Sequence, residues 1–289
     1  MNAETHSSPG LARRVLNNPI ARFLVLGFLL VALMAMSGDV QQAFADNPKR
    51  VLAHVVSLAL AGAALYIGYA RLIEQREATE LAPSAMARNL AIGILVGSGL
   101  YTASVLILMA LGIYRIEGLN PVSFLWTATG MAVSSAVFEE LLFRGVVFIC
   151  VERLLGSWVA LVVSSLLFGM VHLMNPEGTM EGALFIAVEA GILLAGAYML
   201  TRSLWMSMGF HFSWNYTQSG IFSGIVSGNE PAQGLFKSSI SGPDLLTGGS
   251  FGLESSVVAL VLCTTTGIIL VALAAKRGNI VPPIWKRKP

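Results

Sequence analysis

The stretch Ser134 to Phe148, SSAVFEELLFRGVVF, places two adjacent carboxylates and a guanidinium inside a long apolar segment. A charge at bilayer depth costs about 2.5–3.5 kcal/mol, so Glu139, Glu140 and Arg144 need a reason to be there. Glu140 and Arg144 are four residues apart, share one face of a helix and can neutralise each other. Glu139 is turned about 100° from its neighbour and has no such partner on its own helix, which leaves one carboxylate over. Two further apolar segments carry polar groups. LLFGMVHLMNP holds His172 after Phe168, and MGFHFSWNYTQSG holds His211 and Asn215, again four apart on one face. Taken singly, His172 reads as a packed or interfacial histidine, and His211 with Asn215 as hydrogen-bonding glue between helices. Taken together, they suit a water-filled cavity. There a carboxylate acts as general base, a histidine holds a water or a metal, and a histidine and an amide donate to a developing oxyanion. That chemistry is hydrolysis of an amide. No serine stands in a defensible Ser/His/Asp arrangement and HExxH is absent, so the commonest protease signatures are excluded.

The elements that must position these groups follow from composition. Of 289 residues, 55% are hydrophobic and 12% charged, against about 25% charged in a soluble chain. Runs of about 20 apolar residues occur at Ile20–Met36, Val51–Ala70, Leu90–Leu111, Val122–Val151, Ser157–Leu173, Gly182–Leu200, Leu204–Val226 and Ser255–Ala275. The expected fold class is all-α, a polytopic membrane helical bundle of about eight transmembrane helices. About three of them lie in an N-terminal part, residues 1–121, and about five in a core, residues 122–278, before a basic tail at 279–289. The fourth run is longer than a bilayer requires, so it tilts or begins at the interface around PVSFLWTATG.

Basic residues orient the bundle. With both termini cytoplasmic, the inner segments hold Arg13, Arg14 and Arg22, then Arg71, Arg76 and Arg88, then Arg153, Arg202, and the tail set Lys276, Arg277, Lys286, Arg287 and Lys288. The outer segments hold only Lys49, Arg50, Arg115 and Lys237. Arg13-Arg14, the first apolar run and AFA before Asp46 imitate a cleavable secretory signal. The run is long for a signal core and SGDVQQ is an unusual spacer, so an uncleaved first helix is expected. Cys150 and Cys263 fall in or at apolar runs, where a buried thiol is the default and a disulfide is not. The net charge of +2 gives no reason to invoke nucleic acid; the basic tail suits anionic headgroups.

EELLFR (Glu139, Glu140, Arg144), FGMVH (Phe168, His172) and HFSWN (His211, Asn215) resemble the motifs EExxxR, FxxxH and HxxxN of the CAAX-protease and bacteriocin-processing (CPBP, or Abi) family of intramembrane proteases. That family includes the type II CAAX prenyl endopeptidases. TRSLWMSMGFHFSWN and SGPDLLTGGSFGLESS are similar to bacterial members, so the resemblance spans roughly Val122 to Arg277. It implies that Glu139 with His172 activates the hydrolytic water, that His211 with Asn215 stabilises the oxyanion, and that Glu140, Arg144 and Phe168 are structural support. The family is often described as metalloproteases. Glu139, His172 and His211 are the residues that would hold a divalent metal such as zinc, although no zincin spacing demands one. The resemblance further implies an endopeptidase acting on a membrane-associated protein or peptide. The basic tail and compact loops look bacterial, which places the chain in the inner (plasma) membrane with the lipid bilayer and a peptide or membrane-protein substrate as its partners.

Three features stand outside the motifs. Glu189 in FIAVEAGILL either pairs with a nearby helix or faces the cavity; His54 reads as packed or interfacial; and GLFKSSISGPDLLTGGSFGLE is a turn-rich loop that covers a site or merely connects. Two rival classes remain open. A transporter would need inverted repeats with paired broken helices, which are not evident, and a non-catalytic immunity or scaffold protein would have no use for an unpaired Glu139 beside two histidines.

Overall fold

The structure is a computed structural model that describes residues 16–231 and 233–287; Arg13, Arg14 and Lys288, used above for orientation and for the signal reading, lie outside the described residues. The first two long helices begin at Asn-Pro steps. Asn18 caps α1 (Pro19–Ala43) by accepting from the Ile20 N–H, and Asn47 caps α2 (Pro48–Gly68) by accepting from the Arg50 N–H. In both, proline occupies the first turn, where its missing N–H is no loss. A π-helical turn, Tyr69–Ile73, ends α2. Helix α3 (Pro83–Ala110) again starts on proline. Strand β1 (Tyr114–Leu119) follows, and then one rod made of α4 (Phe124–Glu140), a π-helical stretch Leu141–Phe148 and α5 (Ile149–Leu155), which stops at Gly156. Next come α6 (Ser157–Val171) with a terminal 3₁₀ turn at His172–Met174, and a rod of α7 (Met180–Ile186), π-helical Ala187–Gly191 and α8 (Ile192–Thr201). Helix α9 (Leu204–Asn215) runs on into π-helical Tyr216–Ile221. Strand β2 (Phe236–Ile240), a short α10 (Asp244–Thr247) and α11 (Val257–Lys276) complete the chain.

Six of these rods are long and apolar enough to cross a membrane, and the chain is an integral membrane protein of helical-bundle class. The remaining two of the eight expected runs, Val122–Val151 and Leu204–Val226, also form rods, Phe124–Leu155 and Leu204–Ile221. They fall outside the six because they carry the polar motifs, and Phe222–Val226 is not helical. The rod from Met180 to Thr201 is the centre of the bundle: 72% of its apolar window is buried, against 28–39% in the other five. Outward faces keep large apolar side chains such as Leu24, Phe28, Leu60 and Leu95 exposed, as lipid-facing positions require.

Close helix approach comes from small residues, as in other membrane bundles. A Cβ on Gly93 of α3 would stand 2.3 Å from the Met206 carbonyl oxygen, one on Gly97 2.5 Å from that of Phe210, and one on Gly209 of α9 2.6 Å from that of Leu90. Helices α3 and α9 therefore meet backbone to backbone. One departure from the all-helical expectation is a two-stranded antiparallel sheet at the end away from the termini. In it β1 pairs with β2 from Tyr114 opposite Ile240 to Leu119 opposite Phe236, with an irregularity between Ile116 and Gly118.

Candidate active site

The three motifs sit on the three rods that converge at mid-bundle. Glu139 and Glu140 end α4, where the chain widens into its π-helical stretch, and Asn215 ends α9 where the second widening begins. Such turns are rare, concentrate at functional sites and re-aim the side chains around them. Glu140 and Arg144 are fully buried, and the guanidinium donates to Oε1 at 2.8 Å. A second arginine N–H reaches the Gly191 carbonyl at 3.4 Å, tying the EExxxR rod to the central one.

His211 does not turn to Asn215. Its Nδ1 lies 3.0 Å from the same Glu140 Oε1. An ionised carboxylate only accepts, so Nδ1 carries the proton and donates. The other ring nitrogen, Nε2, faces Glu139 Oε2 at 3.9 Å. Asn215 instead donates from Nδ2 to the Ser135 hydroxyl at 2.9 Å, one helical turn before Glu139. The second N–H of that amide stays available.

His172, at the end of α6, pairs its Nδ1 with the Phe168 carbonyl at 2.7 Å. As a carbonyl can only accept, Nδ1–H is the donor and Nε2 keeps its lone pair. Phe168 joins the groups. Its ring lies 5.0 Å from the His172 ring and 5.9 Å from that of His211, and the Arg144 guanidinium stands over it at 4.4 Å. The aromatic face thus spaces the two histidines and gives the buried cation a second favourable contact.

Glu139 and Glu140 differ in what they are left with. Glu140 has no exposure and Glu139 keeps 12% of its side-chain surface. Glu139 Oε2 makes no hydrogen bond among the described residues. The site therefore presents one half-open carboxylate beside an imidazole nitrogen, a free imidazole lone pair on His172, and an amide N–H. Among the described residues no three His, Cys, Asp or Glu side chains stand close enough to hold one metal ion.

Supporting contacts come from residues outside the motifs. The Gly145 carbonyl, next to Arg144, accepts from Arg22 Nη2 at 3.0 Å, and the Tyr66 hydroxyl oxygen lies 3.0 Å from it. Arg22 also grips Glu74 at 2.5 Å, which binds Arg76 and Arg153, and Tyr66 donates to Glu80. Ser135 had a signal in the sequence, four positions before Glu139 on the same face; Arg22, Tyr66 and Gly145 had none. Glu189 lies buried in the central π-helical turn with Oε2 unpaired among the described residues, and no hydrogen bond joins it to the motif residues. His54 is at the far end, bonded to the Arg50 carbonyl and stacked on Phe44.

Residues 121–217 match the family model Type II CAAX prenyl endopeptidase Rce1-like. The match takes in Glu139, Glu140, Arg144, Phe168, His172, His211 and Asn215, so over this segment the chain is similar to the CPBP/CAAX protease family. No curated protein and no solved structure matches the chain.

Proposed function

We propose that this chain is an intramembrane endopeptidase in which Glu139 activates water against a peptide bond of a membrane-associated protein or peptide. The observation that carries the reading is the asymmetry of the carboxylate pair. Glu140 is enclosed, with Arg144 and His211 both on its Oε1, while Glu139 hydrogen-bonds to neither of them, has an unbonded Oε2 among the described residues and keeps 12% of its side-chain surface exposed. A general base must have a free lone pair within reach of water, and of the two carboxylates Glu139 is the one that combines an unbonded oxygen with exposed surface.

In the proposed reaction, water bound between Glu139 and the His172 Nε2 lone pair attacks the carbonyl carbon as Glu139 takes one of its protons. To donate to the oxyanion, His211 acts as the imidazolium, with its Nδ1–H held on Glu140 Oε1. Its Nε2–H and the free Asn215 N–H then face the oxyanion. Collapse breaks the C–N bond, and Glu139 returns the proton to the leaving amine. The products are a new carboxyl terminus and an amine. A zinc ion in such a site would be held by Glu139, His172 and His211, but these three do not gather around one point, so no step is routed through a metal.

The substrate class is a peptide or protein at the membrane, in keeping with the endopeptidase domain. A chain of bacterial inner-membrane type with both termini cytoplasmic would meet unprenylated substrates there, such as membrane peptides or membrane-protein ends. The test is a cleavage assay on the purified full chain with a membrane-peptide library, comparing wild type with Glu139→Gln and His172→Ala. Loss of product by both variants, with unchanged melting in detergent, supports the reading; undiminished turnover by Glu139→Gln would sink it.

A further inference from the structure

At the end of the bundle where the arginines gather, a cavity of about 420 Å³ lies between the start of α3, the α8–α9 junction and the end of α11. Its lining is divided by polarity. Arg88 and Arg277 stand with Ser84 and Thr201 on the polar side, and Ile92 and Met206 form the apolar side. Both arginines are exposed, and among the described residues neither side chain makes an ion pair or hydrogen bond. This sets them apart from Arg22, Arg76, Arg144, Arg153 and Arg202, each held by a carboxylate. Below the cavity, the flanking helices expose Leu95 of α3 and Ile269 and Leu273 of α11, in the apolar belt.

A pair of guanidiniums above an aliphatic wall, at the end of membrane-spanning helices, matches one kind of molecule: a phosphate ester carrying acyl chains. Arginine recognises phosphate oxygens through paired N–H groups, hydroxyls such as those of Ser84 and Thr201 add donors, and basic pockets between transmembrane helices suit anionic headgroups. We infer that this cavity binds the headgroup phosphate of an anionic phospholipid, with the acyl chains running down the α3–α11 face. The site is separate from the catalytic cluster and shares none of its residues.

The full chain, stripped of co-purified lipid in detergent, is titrated with phosphatidylglycerol, phosphatidylcholine or inorganic phosphate, and retained ligand is read by native mass spectrometry. The expected result is retention of phosphatidylglycerol over phosphatidylcholine, and none of phosphate alone. Each of Arg88→Gln and Arg277→Gln should weaken phosphatidylglycerol binding about fivefold, and the pair about 25-fold. Arg88→Lys with Arg277→Lys should recover most of it, and Ile92→Trp, which fills the cavity and leaves both arginines, should abolish retention. Removing the same charge at the other end, with Arg115→Gln and Lys237→Gln, should change nothing. Unaltered binding by the double glutamine variant overturns the inference, as does equal retention of phosphatidylcholine, equal occupancy by inorganic phosphate, or an equal loss on removing Arg115 and Lys237.

Discussion

Among the described residues, two clusters of buried ions are built to opposite rules. At the basic end, Glu74 accepts from Arg22, Arg76 and Arg153, and Glu80 accepts from Arg76 and Tyr66. No carboxylate oxygen of these two is left over among the described residues. At mid-bundle, Glu140 takes both the one arginine and the one histidine on a single oxygen, and its other oxygen and Glu139 Oε2 make no hydrogen bond among the described residues. A cluster whose task is cohesion saturates its acceptors, because an unmade buried bond costs about 1–3 kcal/mol. One that must receive a proton from a transient water cannot do so. The saturated cluster also reaches the unsaturated one, since Arg22 holds the Gly145 carbonyl beside Arg144.

The sharpest way to break this comparison is to make the same isosteric change in both clusters. Glu139→Gln should cut cleavage by about 10²–10⁴-fold and leave the melting temperature in detergent unmoved. Glu74→Gln should do the reverse, lowering stability by about 1–3 kcal/mol with kcat largely kept. If both variants lose stability alike, the two clusters do not differ in kind. Next in size is truncation within the unsaturated cluster: Arg144→Ala or Glu140→Ala strands a buried charge and should lose about 3–5 kcal/mol, seen as reduced folded yield, whereas Glu139→Ala should fold in near-normal amounts.

Acid should separate the clusters further. Burial by itself pushes the Glu74 carboxyl up, but Arg22, Arg153 and Arg76 outweigh it and hold it below the ordinary range. Burial likewise raises Glu80, and hydrogen bonds from Arg76 and Tyr66 bring it down. Carboxyls depressed in the folded state contribute stability that is complete above their unfolded value, about 4.3, and lost as pH falls through the folded one. Melting should therefore stay level from neutral pH to about pH 5 and drop below about pH 4, and Glu74→Gln with Glu80→Gln should shrink that drop; an equal drop in the double variant would remove these groups as its source. The smallest effect is expected from Ser135→Ala, which frees the Asn215 amide from its hydroxyl partner. A fall in kcat of about two- to tenfold at constant KM, worth one neutral hydrogen bond, would mark Ser135 as a positioning residue, and a change confined to KM would not.

Local spacing made part of this site readable in advance. The bond between Glu140 and Arg144 needs only two positions one helical turn apart, and apolar run length is enough to expose the helical bundle. What spacing could not supply is who meets whom across helices. His211 and Asn215 share a face, yet His211 bonds to Glu140 and Asn215 to Ser135, because α4 rather than α9 itself presents their partners. The π-helical turns after Glu140 and Asn215 leave no trace in periodicity, since each depends on tertiary packing to stabilise a widened turn. EQREATE looks like an ordinary charged loop until Arg22, 52 positions before Glu74, folds back onto it. The β1–β2 pairing is equally hidden, for its strands are short and separated by all three motifs.

The glycine contacts between α3 and α9 bear on how far the structural unit around the motifs extends. The family segment starts at residue 121, whereas α3, which lies wholly before it, touches the backbone of the very helix that carries His211 and Asn215. Inheritance and mechanics thus draw different borders: a fragment cut at the family boundary would keep every motif letter and lose the wall against which two of those letters are held.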